Sequence, residues 1–182
     1  MTRPLRSTAA GTVLAIVLVC GHAASANAPS KPKRQVAVTV LRSSDRDLMG
    51  IVEQGLVRSA TLRHLEDRLR QARVIVYLAS SHELSARGRT RLVGTGDGWR
   101  YLLVDLDTRL PRVDLLSLLG HELQHAVEIA EAADVVDEST LIALYQRIGV
   151  SQRDGAAGLA FETRNAIEAG HQVLAELMGM NW

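Results

Sequence analysis

The stretch Leu118-Leu119-Gly120-His121-Glu122-Leu123-Gln124-His125-Ala126-Val127 decides how this chain is read. It contains the pattern H-E-x-x-H. From 115 to 127 no proline and no charge other than Glu122 interrupts the apolar residues, and the segment predicts a helix. On a helix, residues four apart lie on one face, one turn apart. His121 and His125 can then reach one metal ion at roughly 2.0–2.1 Å. Glu122 is placed to take a proton from water activated at that ion. The plainer alternative is a buried helix with two incidental histidines. It leaves two rings and a carboxylate unpartnered on a largely apolar helix, which is costly.

Upstream, Arg3 and Arg6 precede an apolar run, 9–19, too short for a comfortable membrane span, and Ala24-Ser25-Ala26 offers an A-x-A cleavage site. Residues 1–26 therefore read as a secretory signal peptide, and the protein as exported, either periplasmic or secreted. Residues 27–35 are rich in Pro, Lys and Ser and read as a flexible leader. Residues 36–182 remain as one domain with no membrane span. Cys20, the one cysteine, lies inside the expected signal, so the mature chain would have no disulfide and no thiolate ligand. The full chain carries 21 Lys and Arg against 20 Asp and Glu. Losing Arg3 and Arg6 turns the net charge from +1 to −1, which gives no reason to expect a nucleic-acid partner. Oligomeric state is not legible in the sequence.

Within the domain, 36–40 reads as a short first strand. Ser43, Ser44 and Asp45 offer caps for a helix carrying Leu48, Ile51, Val52 and Leu56. A second helix follows with Leu62, Leu65 and Leu69 on one face. Residues 74–78 are a β-branched run that predicts a strand. Residues 80–88 read as a polar loop, and His64 and His82 as solvated histidines. Strands at 91–93 and 99–106 flank a glycine-rich loop, 94–98, which lacks the strand-to-helix context of a phosphate site. Pro111 and Asp114 start the histidine helix, expected to end near 132. A helix at 140–148 capped by Ser139, a loop at 151–158 and a last helix at about 159–178 complete the chain.

The segment around His121 and His125 resembles the active-site helix of the zincin metallopeptidases, which favour uncharged residues about the motif. Here those are Leu119, Leu123, Gln124, Ala126 and Val127. The resemblance is strong over about ten residues and implies an α+β, zincin-like fold. That fold has a small, mostly antiparallel sheet before the active-site helix, with further helices C-terminal to it. An edge strand of the sheet would pair with an extended substrate through main-chain hydrogen bonds; 91–93 and 99–106 are both candidates. The metzincin extension is absent, since positions 128 and 131 are Glu128 and Glu131.

A catalytic zinc takes three protein ligands and keeps one open position. Gluzincins supply the third from a downstream glutamate, and Glu162 fits that role. Steps of four from it reach Ala166 and Gly170, small enough for close helix packing. Glu128 is the rival. It stands seven residues from His121, roughly 10 Å along a helix, and fits better as a support that orients a ligand histidine. Tyr101 and Tyr145 are possible oxyanion donors, though each reads more readily as a packing residue. The expected activity is that of an exported zinc metallopeptidase acting on a peptide or protein substrate. Zn²⁺ would be held by His121, His125 and Glu162, with Glu122 as general base. The alternative is an exported metal-binding or interaction protein that uses the same fold without catalysis.

Overall fold

The Asp45 carboxylate accepts hydrogen bonds from the main-chain N–H groups of Asp47 and Leu48, and so opens α1 (Arg46–Arg58). Ser59 ends that helix and caps the next, α2 (Ala60–Gln71), by accepting from Leu62. Leu48 and Val52 of α1 and Leu62, Leu65 and Leu69 of α2 are buried, as their helical spacing requires. This computed structural model describes residues 39–82, 87–155 and 158–179. The expected signal peptide (1–26) and leader (27–35) lie outside the described residues.

The main sheet comprises β1 (Leu41–Arg42), β2 (Val74–Ser80), β3 (Gly88–Gly96) and β4 (Trp99–Leu106), in the order β1-β2-β4-β3. The fold is α+β, but the sheet is mixed, not mostly antiparallel: β1/β2 and β2/β4 are parallel, and β3/β4 is antiparallel. Connectivity is the reason. α1 and α2 fill the link between β1 and β2, and such a crossover returns the chain in the same direction. β3 and β4 instead join through Asp97 (φ 51) and Gly98 (φ 75). Positive φ at both central residues is what a two-residue primed turn needs. The turn is tighter than the expected 94–98 loop, and β3 runs on to Gly96 across an irregularity between Leu92 and Gly94. β1 falls just after the strand expected at 36–40, of which 36–38 lie outside the described residues. β3 occupies an edge and β4 the interior, so of the two candidate edge strands the one containing 91–93 holds the edge.

Val74, Val76 and Leu78 of β2 share the core face with Leu102, Val104 and Leu106 of β4. Against this core lies α3 (Arg112–Glu131), with Leu115, Leu116, Leu119, Leu123 and Ile129 buried. Its C-terminal carbonyls have no basic residue in the last turn to meet them. Arg100, at the start of β4, supplies the donors, reaching the carbonyls of Ala130, Ala132, Ala133 and Val135 at 2.9–3.1 Å.

α4 (Glu138–Ile148) is capped by Asp137 in a capping box with Thr140, not by Ser139. Of the expected loop at 151–158, residues 156–157 lie outside the described residues; the rest, with the first residues of the expected last helix, forms a hairpin, β5 (Ser151–Gly155) with β6 (Gly158–Glu162). α5 (Arg164–Met178) begins only after Thr163, whose hydroxyl accepts from Ala166 N–H, and it ends at Gly179 in the left-handed region. α3 and α5 approach closely through glycines. A β-carbon at Gly120 would meet a Val173 methyl at 2.6 Å, and one at Gly170 would stand 3.2 Å from the Ser117 carbonyl oxygen. Ser117 also donates its hydroxyl to the Gly170 carbonyl at 2.9 Å. Among the described residues no helix is long and apolar enough to cross a membrane.

Candidate metal centre

Helix spacing places His121 and His125 one turn apart, with ring centroids 4.9 Å from each other and edge to face. Glu162 arrives from β6. The hairpin carries it in, and its last residue stands opposite the helix face that presents the histidines. Its Oε2 lies 3.2 Å from His121 Nε2. His121, His125 and Glu162 each offer one ligand atom, and the three atoms lie within 4.8 Å of one another. Tetrahedral ligands at 2.0–2.1 Å stand roughly 3.4 Å apart, so the widest pair need draw in by about 1.4 Å at most. Two imidazoles and a carboxylate, half-buried at His121 and Glu162 and buried at His125, could thus hold a metal ion.

The second histidine is oriented from behind. Its Nδ1 lies 3.0 Å from Glu128 Oε2, and both side chains are buried. The tautomer that donates from Nδ1 to this carboxylate leaves the Nε2 lone pair available to a metal. Glu128 Oε1 in turn accepts from the Thr163 hydroxyl at 2.7 Å. Thr163 is the α5 cap and the residue after Glu162. One buried threonine therefore ties the strand that carries Glu162, the first turn of α5 and the support of His125 together. Glu128 contributes no atom to the ligand cluster.

Glu122 is buried against β3. Thr90 donates to its Oε2 at 2.7 Å and also to its carbonyl at 3.0 Å. Gly88 leaves the room: a β-carbon there would stand 2.5 Å from Glu122 Oε1. Burial raises the Glu122 pKa, and the charges of His125 and His121 and the Thr90 hydrogen bond only partly offset that. Burial acts downward on His121, but the Glu162 hydrogen bond and the charges of Glu122, Glu162 and Glu128 outweigh it and leave the ring's pKa raised. Such a carboxylate-rich surround favours a cation at the rings, whether proton or metal.

Tyr145 is buried, donates to the His125 carbonyl at 3.4 Å, meets the His125 ring edge-on and stacks on Phe161. Its pKa lies well above the usual value, through burial and then the charges of Glu128 and Glu122. It is a packing residue. Tyr101 alternates with the core-facing Leu102 and so points to the sheet face away from α3. His64, His82 and His171 are exposed and lie apart from the cluster. Sequence reasoning missed Gly88, Thr90 and Thr163. Only Thr163 left a local signal, a cap residue followed by a helical run, which the overlong last helix concealed. Comparison with known proteins brings no match: no family model, curated protein or solved structure aligns with the chain.

Proposed function

We propose that this protein is a zinc-dependent peptidase of zincin type, exported and acting on extended peptide or protein segments. The observation that supports this reading most is the convergence of His121, His125 and Glu162 beside the buried carboxylate of Glu122. Bound zinc would supply a Lewis acid that makes water a stronger nucleophile and polarises the scissile carbonyl. Glu122 accepts the proton of the attacking water and later delivers it to the leaving amine nitrogen as the C–N bond breaks. Its raised pKa suits a group that must both take and return a proton. Thr90 and Gly88 fix where that carboxylate points. Glu128 and Thr163 hold the His125 ring. The outer edge of β3, unpaired among the described residues, offers main-chain groups to an extended substrate, a mode that tolerates many sequences.

The test is zinc content and hydrolysis of a quenched fluorescent peptide mixture by the purified protein. Glu122→Gln should retain one zinc per chain and lose hydrolysis by about 10²–10⁴-fold. His121→Ala and Glu162→Ala should lose the zinc itself. Wild-type hydrolysis by Glu122→Gln, or zinc bound equally well without Glu162, would refute the mechanism. Zinc retention with no hydrolysis by the wild type would favour the non-catalytic metal-binding reading.

A further inference from the structure

β3 shows which of its main-chain groups face outward. Asp107 donates its N–H to the Arg87 carbonyl at 2.8 Å, and Ser81 donates to the Leu106 carbonyl on the other side of β4 at 2.8 Å. In an antiparallel ladder, bonded and non-bonded pairs alternate. Arg89 and Arg91 therefore spend their main-chain groups on Asp105 and Leu103, while Gly88, Thr90 and Leu92 turn theirs to the open edge. Among the described residues no strand pairs with that edge.

The same alternation sorts the side chains. Thr90 faces α3 and holds Glu122. Arg89 and Arg91 point to the opposite face, where they share one carboxylate. Arg91 binds Asp105 Oδ2 through Nη2 at 2.9 Å and Nε at 3.2 Å, whereas Arg89 reaches it only at 3.5 Å. Arg89 Nε is buried with no hydrogen-bond partner among the described residues. The Arg89 and Arg91 side chains are 39% and 43% exposed, and among the described residues these two positive charges share the one Asp105 carboxylate, which leaves this rim cationic. A chain docked along β3 puts the residue opposite Thr90 on the side of Glu122. Its two neighbours fall on the other face, across from Arg89 and Arg91.

We propose that Arg89 and Arg91 select extended substrates with acidic side chains at two positions flanking the residue seated opposite Thr90, an acidic–x–acidic pattern. The proposal rests on the peptidase reading and names the substrate class for that same site. The test is cleavage of a randomised peptide library by the zinc-loaded protein, with products located by mass spectrometry. Asp or Glu should be enriched over Asn or Gln by about three- to fivefold at two positions separated by one residue, as half-exposed ion pairs allow. The enrichment should shrink in high salt. Arg89→Gln leaves Asp105 paired with Arg91 and should bring one position to parity, while Arg89→Lys should keep most of the preference. As a second readout, Glu122→Gln should bind a fluorescent Asp-x-Asp peptide more tightly than its Asn-x-Asn counterpart. Cleavage without acidic enrichment, or enrichment untouched by Arg89→Gln, would overturn the substrate class and leave the peptidase reading standing. Cleavage of no peptide would overturn both.

Discussion

The same hydrogen-bonding device occurs at both ends of α5, in different surroundings. At the N-terminal end, the cap hydroxyl of Thr163 accepts from Ala166 N–H and donates to Glu128 of α3. At the C-terminal end, Glu176 of α5 takes a hydrogen bond from Ser59, whose hydroxyl accepts from Leu62 N–H as the cap of α2. Each joins a helix start to a carboxylate on another helix. They differ in what the second carboxylate oxygen touches. Glu128 Oε2 meets His125 Nδ1. Glu176 Oε1 meets the N–H and hydroxyl of Thr61, two groups with no chemistry to perform. The comparison teaches that the same capping device reaches a candidate metal site or merely a second helix start according to its last contact.

Three changes would break or sharpen that contrast. Thr163→Val should have the largest effect. It removes a cap worth about 0.5–2 kcal/mol and a donor to a buried carboxylate worth about 1–3 kcal/mol. Urea denaturation should show the stability loss, and a chelator competition should show zinc affinity falling about 10–100-fold. Thr163→Ser should restore both. Ser59→Ala should cost about 1–2 kcal/mol by the same denaturation measurement and leave zinc affinity unchanged. Equal loss of zinc affinity in both variants would erase the distinction between the two ends.

The smallest effect is a pH dependence. Burial pushes the Glu176 pKa up, but hydrogen bonds from Ser59 and Thr61 outweigh it, and the folded-state value lies below the ordinary 4.5. A lowered folded-state pKa means the stabilisation is present above about pH 4.5 and fades as pH falls through the folded-state value. Glu176→Gln should therefore lower the unfolding midpoint at neutral pH and flatten the acid limb of the stability profile, so that the two proteins converge as pH falls. An unchanged acid limb would show that these hydrogen bonds do not favour the ionised carboxylate.

Legibility in the sequence followed how local each feature is. α1, α2 and α3 repeat apolar residues at helical spacing, so their buried faces could be read directly. The relation between His121 and His125 is likewise internal to one helix. Helical spacing from Glu162 predicts its approach to the histidines, but Glu162 itself is not helical. It ends a strand, and α5 starts after Thr163. Gly170 does pack against α3 as its small size suggested, beside Ser117 and His121. The β5–β6 hairpin is hard to read because β5 ends in Asp154 and Gly155 and β6 opens on Gly158, residues with little strand preference. Thr90, Gly88 and Arg100 act on segments 30 or more positions away, and no window of sequence holds both partners.

The glycines between α3 and α5 also bear on how distant relatives would be recognised. A methyl at 120 would force Val173 to shift, and one at 170 would crowd the Ser117 carbonyl, so any relative that keeps this helix packing should favour glycine at both positions. A search profile reading Gly-His-Glu-x-x-His-x-x-Glu, then Glu-Thr and a glycine seven residues past that threonine, is far rarer by chance than the five-residue motif inside it.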